Sequence, residues 1–161
     1  ISPGLPAQAQ AQVGNPSELR EQQAQLQAPP PATASIETNG YRFDMVHAVV
    51  KGNKIEAFCR VVALEQDRRL KVFAVGSSSR SRLIDAFGEE HLPELAKLGS
   101  EENPREVDNI LAAGIPMKAT LFFELDASNL AYFPLVEFAC YDYAERESFR
   151  VSFRDVPIER R

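Results

Sequence analysis

Two histidines (His47 and His91), two cysteines (Cys59 and Cys140), serines 77–79 and the carboxylate pairs Glu89 with Glu90 and Glu101 with Glu102 are this chain's candidates for chemistry. A metal site needs ligands spaced as in H-x-x-x-H or beside a C-x-x-C pair, and neither histidine sits in such a pattern. A nucleophile needs a base brought to it, and no G-x-S-x-G elbow is present. Serines 77–79 therefore read as a turn. Adjacent carboxylates in loops fix no acid and base geometry, and no glycine-rich phosphate loop occurs. The expectation is a non-enzyme with no catalytic, cofactor-binding or metal-ligating residue. Tyr132, Phe133, Tyr141 and Tyr143 form an aromatic cluster near the ends of one run. Tyr132, Tyr141 and Tyr143 are its candidate ligand-facing members, since an exposed ring can stack on a sugar, although at sheet spacing such residues also pack cores and edges.

The elements that carry these residues begin after a change of character at Ile36. All 14 aromatic residues lie from Tyr41 onward, whereas 6 of the 11 prolines precede Ile36. Residues 36–161 are enough for one domain with its own core. Within them the pattern alternates apolar and polar residues in short runs, at 41–50, 55–64, 70–75, 117–125, 130–143 and 149–158. Gly52-Asn53 between the first two runs is a hairpin signal. Ile55, Ala57, Cys59, Val61 and Ala63 share one face of the second run, and Val136, Phe138 and Cys140 share one face of a later one, so both cysteines point to the core. In the last run Phe149, Val151 and Phe153 alternate with Arg150, Ser152 and Arg154, giving a strand with one wet side. Residues 89–115 admit a short helix, with Asn103 as cap and Val107, Ile110 and Leu111 at helical spacing, or an irregular edge segment. About seven strands without a β-α-β rhythm predict an all-β domain of two packed antiparallel sheets.

The arm, residues 1–35, is built from Ala, Gln and Pro and cannot form a core. Asn15-Pro16 opens a short helical pattern that Pro29-Pro30-Pro31 ends, and Leu19 and Leu26 lie one heptad apart on one face. They are the candidate docking residues of the arm. Residues 1–11 have the look of a secretory-signal remnant, with Ala7-Gln8-Ala9 and Ala9-Gln10-Ala11 both fitting an A-x-A cleavage site. Export is the expectation.

A formal net charge of -5 argues against nucleic acid as partner, because phosphates call for a concentrated basic face. Arg68, Arg69 and Lys71, and Arg80 with Arg82, are small basic spots flanked by acids. No run of about 18 apolar residues offers an integral membrane span.

Five segments carry a resemblance: N-G-Y-R-F at 39–43, K-G-N-K-I-E-A-F-C at 51–59, R-L-I-D-A-F-G at 82–88, A-A-G-I-P-M-K-A-T-L-F-F-E at 112–124 and F-R-V-S-F-R-D-V-P-I at 149–158. Together they resemble the bacterial exported immunoglobulin-like domains of unknown function. The resemblance implies an immunoglobulin-like antiparallel β-sandwich in the periplasm or outside the cell. It also implies that Cys59 and Cys140 stand where a cross-sheet disulfide could form, with two buried free thiols as the other reading. The antibody hallmarks are missing, since there is no tryptophan and Phe138 stands two residues before Cys140.

Two function classes follow as expectations. One is a structural or interaction module of an envelope or extracellular assembly, docking to a protein partner or to itself through the arm and its sheet edges. The other is a carbohydrate- or peptide-binding domain.

Overall fold

The computed structural model describes residues 34–161; the helix read in the arm, with Leu19 and Leu26, lies outside the described residues. The described residues are all-β and form twelve strands. In chain order they are β1 (Ala34–Thr38), β2 (Tyr41–Lys51), β3 (Lys54–Ala63), β4 (Arg68–Phe73), β5 (Arg82–Ile84), β6 (Glu90–His91), β7 (Leu95–Leu98), β8 (Glu101–Asn103), β9 (Glu106–Leu111), β10 (Met117–Glu124), β11 (Tyr132–Asp142) and β12 (Glu147–Arg160).

One layer runs β2-β3-β10-β7-β8, with β1 on the free side of β2. The other centres on β11, which has β12 along one side and both β4 and β5 along the other; β9 extends β4 and β6 extends β5. We call these the first and second sheets. β12 belongs to both. Its first part is antiparallel to β11, and residues 158–160 then run parallel to residues 48–50 of β2. The changeover follows Asp155, whose φ of 52° is a left-handed backbone of the sort that redirects a strand. The result is one curled, mixed sheet.

Alternation explains the core. Tyr41, Phe43 and Met45 of β2, Ile55, Ala57, Cys59 and Val61 of β3, and Leu121 and Phe123 of β10 point inward from the first sheet. Leu70 and Val72 of β4, Val136, Phe138 and Cys140 of β11, and Val151 and Phe153 of β12 meet them from the second. Each large apolar side chain removed from water contributes about 1.5–3 kcal/mol.

A buried polar network joins the two sheets. Tyr41 on β2 donates its hydroxyl to Asp142 Oδ1 on β11 at 2.7 Å, and Arg68 donates to Asp142 Oδ2 at 2.9 Å. The same guanidinium nitrogen donates to the Asn39 carbonyl at 2.9 Å, and the Ala144 and Glu145 amides donate to Asp142. Burial first, and then the Asp142 carboxylate, pushes the Tyr41 hydroxyl well above the usual tyrosine range.

Asn39 and Gly40 (φ 54° and 83°) turn β1 back into β2. Two successive positive φ values are the mark of a tight hairpin turn matched to strand twist. A Cβ on Gly40 would also lie 2.8 Å from the Arg68 guanidinium, which Asp142 pins in place. Gly40→Ala is expected to destabilise the fold by more than about 1 kcal/mol, read as a lower urea midpoint; an unchanged midpoint would contradict this account of the turn.

The helical reading of residues 104–111 is overturned. Val107 and Leu111 are buried, but Ile110 is 63% exposed, and the segment is β9. A spacing of four fits both a helix face and a strand face, so only Ile110 separates the two. Asn103 Oδ1 does accept the Arg105 and Glu106 amides, as a turn leading into a strand.

Candidate ligand-binding face

The outer surface of the second sheet gathers charge from four strands. β11 turns Glu137 and Tyr141 outward, and β12 places Arg150, Ser152 and Arg154 beside them, because each faces away from its inward neighbours. β5 adds Arg82, and β4 adds Arg69 and Lys71.

Glu137 is the centre of one end. It is only 7% exposed, and its Oε1 accepts Arg82 Nε at 3.0 Å and Arg150 Nη1 at 2.8 Å, while Oε2 accepts the Ser152 hydroxyl at 2.7 Å. Burial pushes this carboxyl upward, but Ser152, Arg82 and Arg150 outweigh it and hold the group below its ordinary value. Arg82 also donates to Glu90 at 3.1 Å, and Arg80 meets Glu90 at 3.7 Å. Arg150 reaches across to the Arg80 carbonyl at 3.0 Å and the Ser79 hydroxyl at 3.5 Å. Arg80, Arg82, Glu90, Glu137 and Arg150 line a cleft of about 270 Å³. A second cleft of about 330 Å³, formed by loop 75–80, shares Arg80 and Arg150 with it.

Because the Glu137 carboxyl is depressed in the folded state, its contribution to stability is present above the unfolded value of about 4.3 and is lost as pH falls through its lower folded value. Glu137→Gln should therefore flatten the acid limb. The gap in urea midpoint between pH 7 and pH 3 is expected to be smaller in the variant than in the parent, and an equal gap would contradict the assignment.

The other end of the face is aromatic. Tyr141 and Tyr143 meet edge to face, with centroids 5.1 Å apart and planes at 90°. Arg69 lies 4.4 Å and Lys71 5.5 Å from the Tyr143 ring centroid, and Asp108 accepts both the Tyr143 hydroxyl and Arg69. The structure thus brings Tyr141 and Tyr143 together but leaves Tyr132 apart. Tyr132 is 45% exposed near the opposite end of β11, roughly 30 Å away at strand rise. Phe133 is fully buried.

The remaining candidates have structural settings. His91 Nε2 lies 2.8 Å from Asp85 Oδ2, and Asp85 Oδ1 accepts the Phe87 and Glu89 amides, so the pair locks the turn between β5 and β6. Asp85, Glu89 and His91 bring one ligand atom each within 4.8 Å of one another, but both Asp85 oxygens already serve that turn. His47, on the first sheet, meets the Glu159 carboxylate. Cys59 and Cys140 are buried, free thiols on opposite sheets. Burial pushes both thiols up, and Cys140 adds to the effect on Cys59, so neither is poised as a nucleophilic thiolate.

The Glu137 cluster is what sequence reasoning missed. Its signal was a carboxylate alternating outward within an apolar central strand, opposite the wet face of β12. No protein-family model matches this chain, and no curated protein matches it.

Proposed function

We propose that the chain is a non-enzymatic binding module of the bacterial envelope or extracellular space, an immunoglobulin-like β-sandwich whose outer second-sheet face recognises an acidic carbohydrate. The carrying observation is the concentration of Arg69, Lys71, Arg82, Arg150 and Arg154 on one sheet face of a chain whose net charge is -5. Glu106, Asp108, Glu90 and Glu137 offset four of these five charges and leave one positive charge in excess on the face. Complementary charge draws in an acidic ligand and orients it, while Tyr141 supplies an aromatic surface for a sugar ring.

The face is built on paired strands, so ligand groups meet side chains whose positions the sheet already fixes. That lowers the ordering cost of binding.

The test is the affinity of the full chain for a polyuronate and for a neutral polysaccharide of equal length, at low and high salt. The polyuronate should bind, more weakly as salt screens exposed charges, and the neutral polymer should not. In the variant carrying Lys71→Ala and Tyr141→Ala, affinity should fall at least about tenfold, since each 1.4 kcal/mol is a factor of ten. Equal binding of both polymers, or no loss in the variant, would sink the reading.

A further inference from the structure

We propose that the cleft bordered by Arg80, Arg82 and Arg150, between β5 and β12, is a subsite for a tetrahedral oxyanion, a sulfate or phosphate ester carried by the carbohydrate. This rests on the face proposed above and names the ligand group read there. Arg80, Arg82 and Arg150 converge on the cleft, facing only Glu90 and Glu137 as carboxylates. Three guanidinium groups against two carboxylates leave one positive charge in excess, matching the single charge of a sulfate monoester.

Geometry favours an ester over a carboxylate. A carboxylate offers only two oxygens, both in one plane, and is met best by donors near that plane. A sulfate or phosphate ester offers three terminal oxygens splayed around an axis, so it can be met from several directions at once. Here the donors come from β5, from β12 and from the serine loop, which are three separate directions.

Glu137 gives the site its rigidity. Nearly buried, and held in turn by the Ser152 hydroxyl, it clamps Arg82 and Arg150 from opposite sides of β11. The two guanidinium groups are therefore positioned before any ligand arrives, which removes side-chain ordering from the cost of binding. Ser77, Ser78 and Ser79 line the adjoining cleft, and each hydroxyl can donate to an oxyanion. Arg80 and Arg150 border both clefts, so an oxyanion between them leaves room on the loop side for the sugar that bears it.

The experiment titrates the full chain with inorganic sulfate and with inorganic phosphate, followed by amide chemical shifts. It then compares the affinity for a sulfated oligouronate with that for its desulfated counterpart, in the parent and in Arg80→Ala. Either ion should move the amides of residues 77–80 and 150, and the parent should prefer the sulfated chain. In R80A that preference should fall at least about tenfold, the cost of one charge-assisted hydrogen bond. Arg150→Ala is the second variant and should show the same loss, with native amide dispersion as the check on folding. A response to the free ions without preference for the ester overturns the carbohydrate-borne form, and silence to both ions overturns the subsite itself. Failure of both oligouronates to bind would instead remove the acidic-carbohydrate reading, leaving the ion titration to judge the cleft on its own.

Discussion

Asp142→Ala is expected to cost about 3–5 kcal/mol, the range for removing one partner of a buried ion pair. Asp142 is fully buried and accepts from the Tyr41 hydroxyl, the Arg68 guanidinium and the amides of Ala144 and Glu145. Alanine would leave Arg68, whose side chain is only 10% exposed, without its main counter-charge, and the Tyr41 hydroxyl without its acceptor. Because a domain of this size has about 5–15 kcal/mol of stability in total, the variant should sit near its folding threshold. Tyr41→Phe should cost less, about 1 kcal/mol, because Asp142 keeps its arginine and its two amides. Urea unfolding of the two variants checks the order. If Asp142→Ala were no more harmful than Tyr41→Phe, the network would not be the polar link between the sheets.

Phe138→Ala is expected to cost about 3–5 kcal/mol through lost burial and the cavity left behind. Phe138 is fully buried on β11, and its ring meets that of Phe153 on β12 edge to face, with centroids 6.1 Å apart and planes at 88°. The pair lies on the inner surface of the two strands whose outer surface carries Glu137 and Arg150. A double-mutant cycle of Phe138→Ala with Phe153→Ala should return a coupling of about 0.5–1.5 kcal/mol. Phe87, 78% exposed in the turn after β5, is the control, and Phe87→Ala should stay within about 0.5 kcal/mol of the parent. Equal losses at positions 87 and 138 would contradict the inward and outward assignment.

How far the fold was legible follows from period. Long strands such as β3, β10, β11 and β12 repeat every two residues over most of their length and face one side to the core, so their inward residues could be read directly, whereas the register of β2 shifts between Met45 and His47. β6, β7 and β8 are two to four residues long, too short for a period to declare itself. β1 was missed although Asn39-Gly40, a strong hairpin signal, stands between it and β2; its intermediate burial offers little apolar alternation. The exchange of β12 between sheets was also invisible, because parallel pairing of residues 158–160 with β2 depends on contacts more than 100 residues apart.

The site was legible only as fragments. Arg80 and Arg82 were visible as a basic spot and Arg150 as part of a wet strand face. Glu137 unites them only because β5 and β12 flank β11 at the same level, with Glu137 opposite Arg82 on one side and Ser152 on the other. Tyr132 and Tyr141 were grouped because they are near in sequence, yet a strand separates its ends as far as a helix of twice the residues would.

The central claim is that the outer face of the second sheet binds an acidic carbohydrate, and the most direct measurement maps an acidic oligosaccharide onto the full chain by amide chemical shifts. The account predicts that the resonances that move belong to the second sheet, at Lys71, Arg82, Tyr141, Arg150 and their strand neighbours, with those of β3 and β10 unmoved. Shifts centred on the first sheet, or no shifts at saturating oligosaccharide, would contradict it.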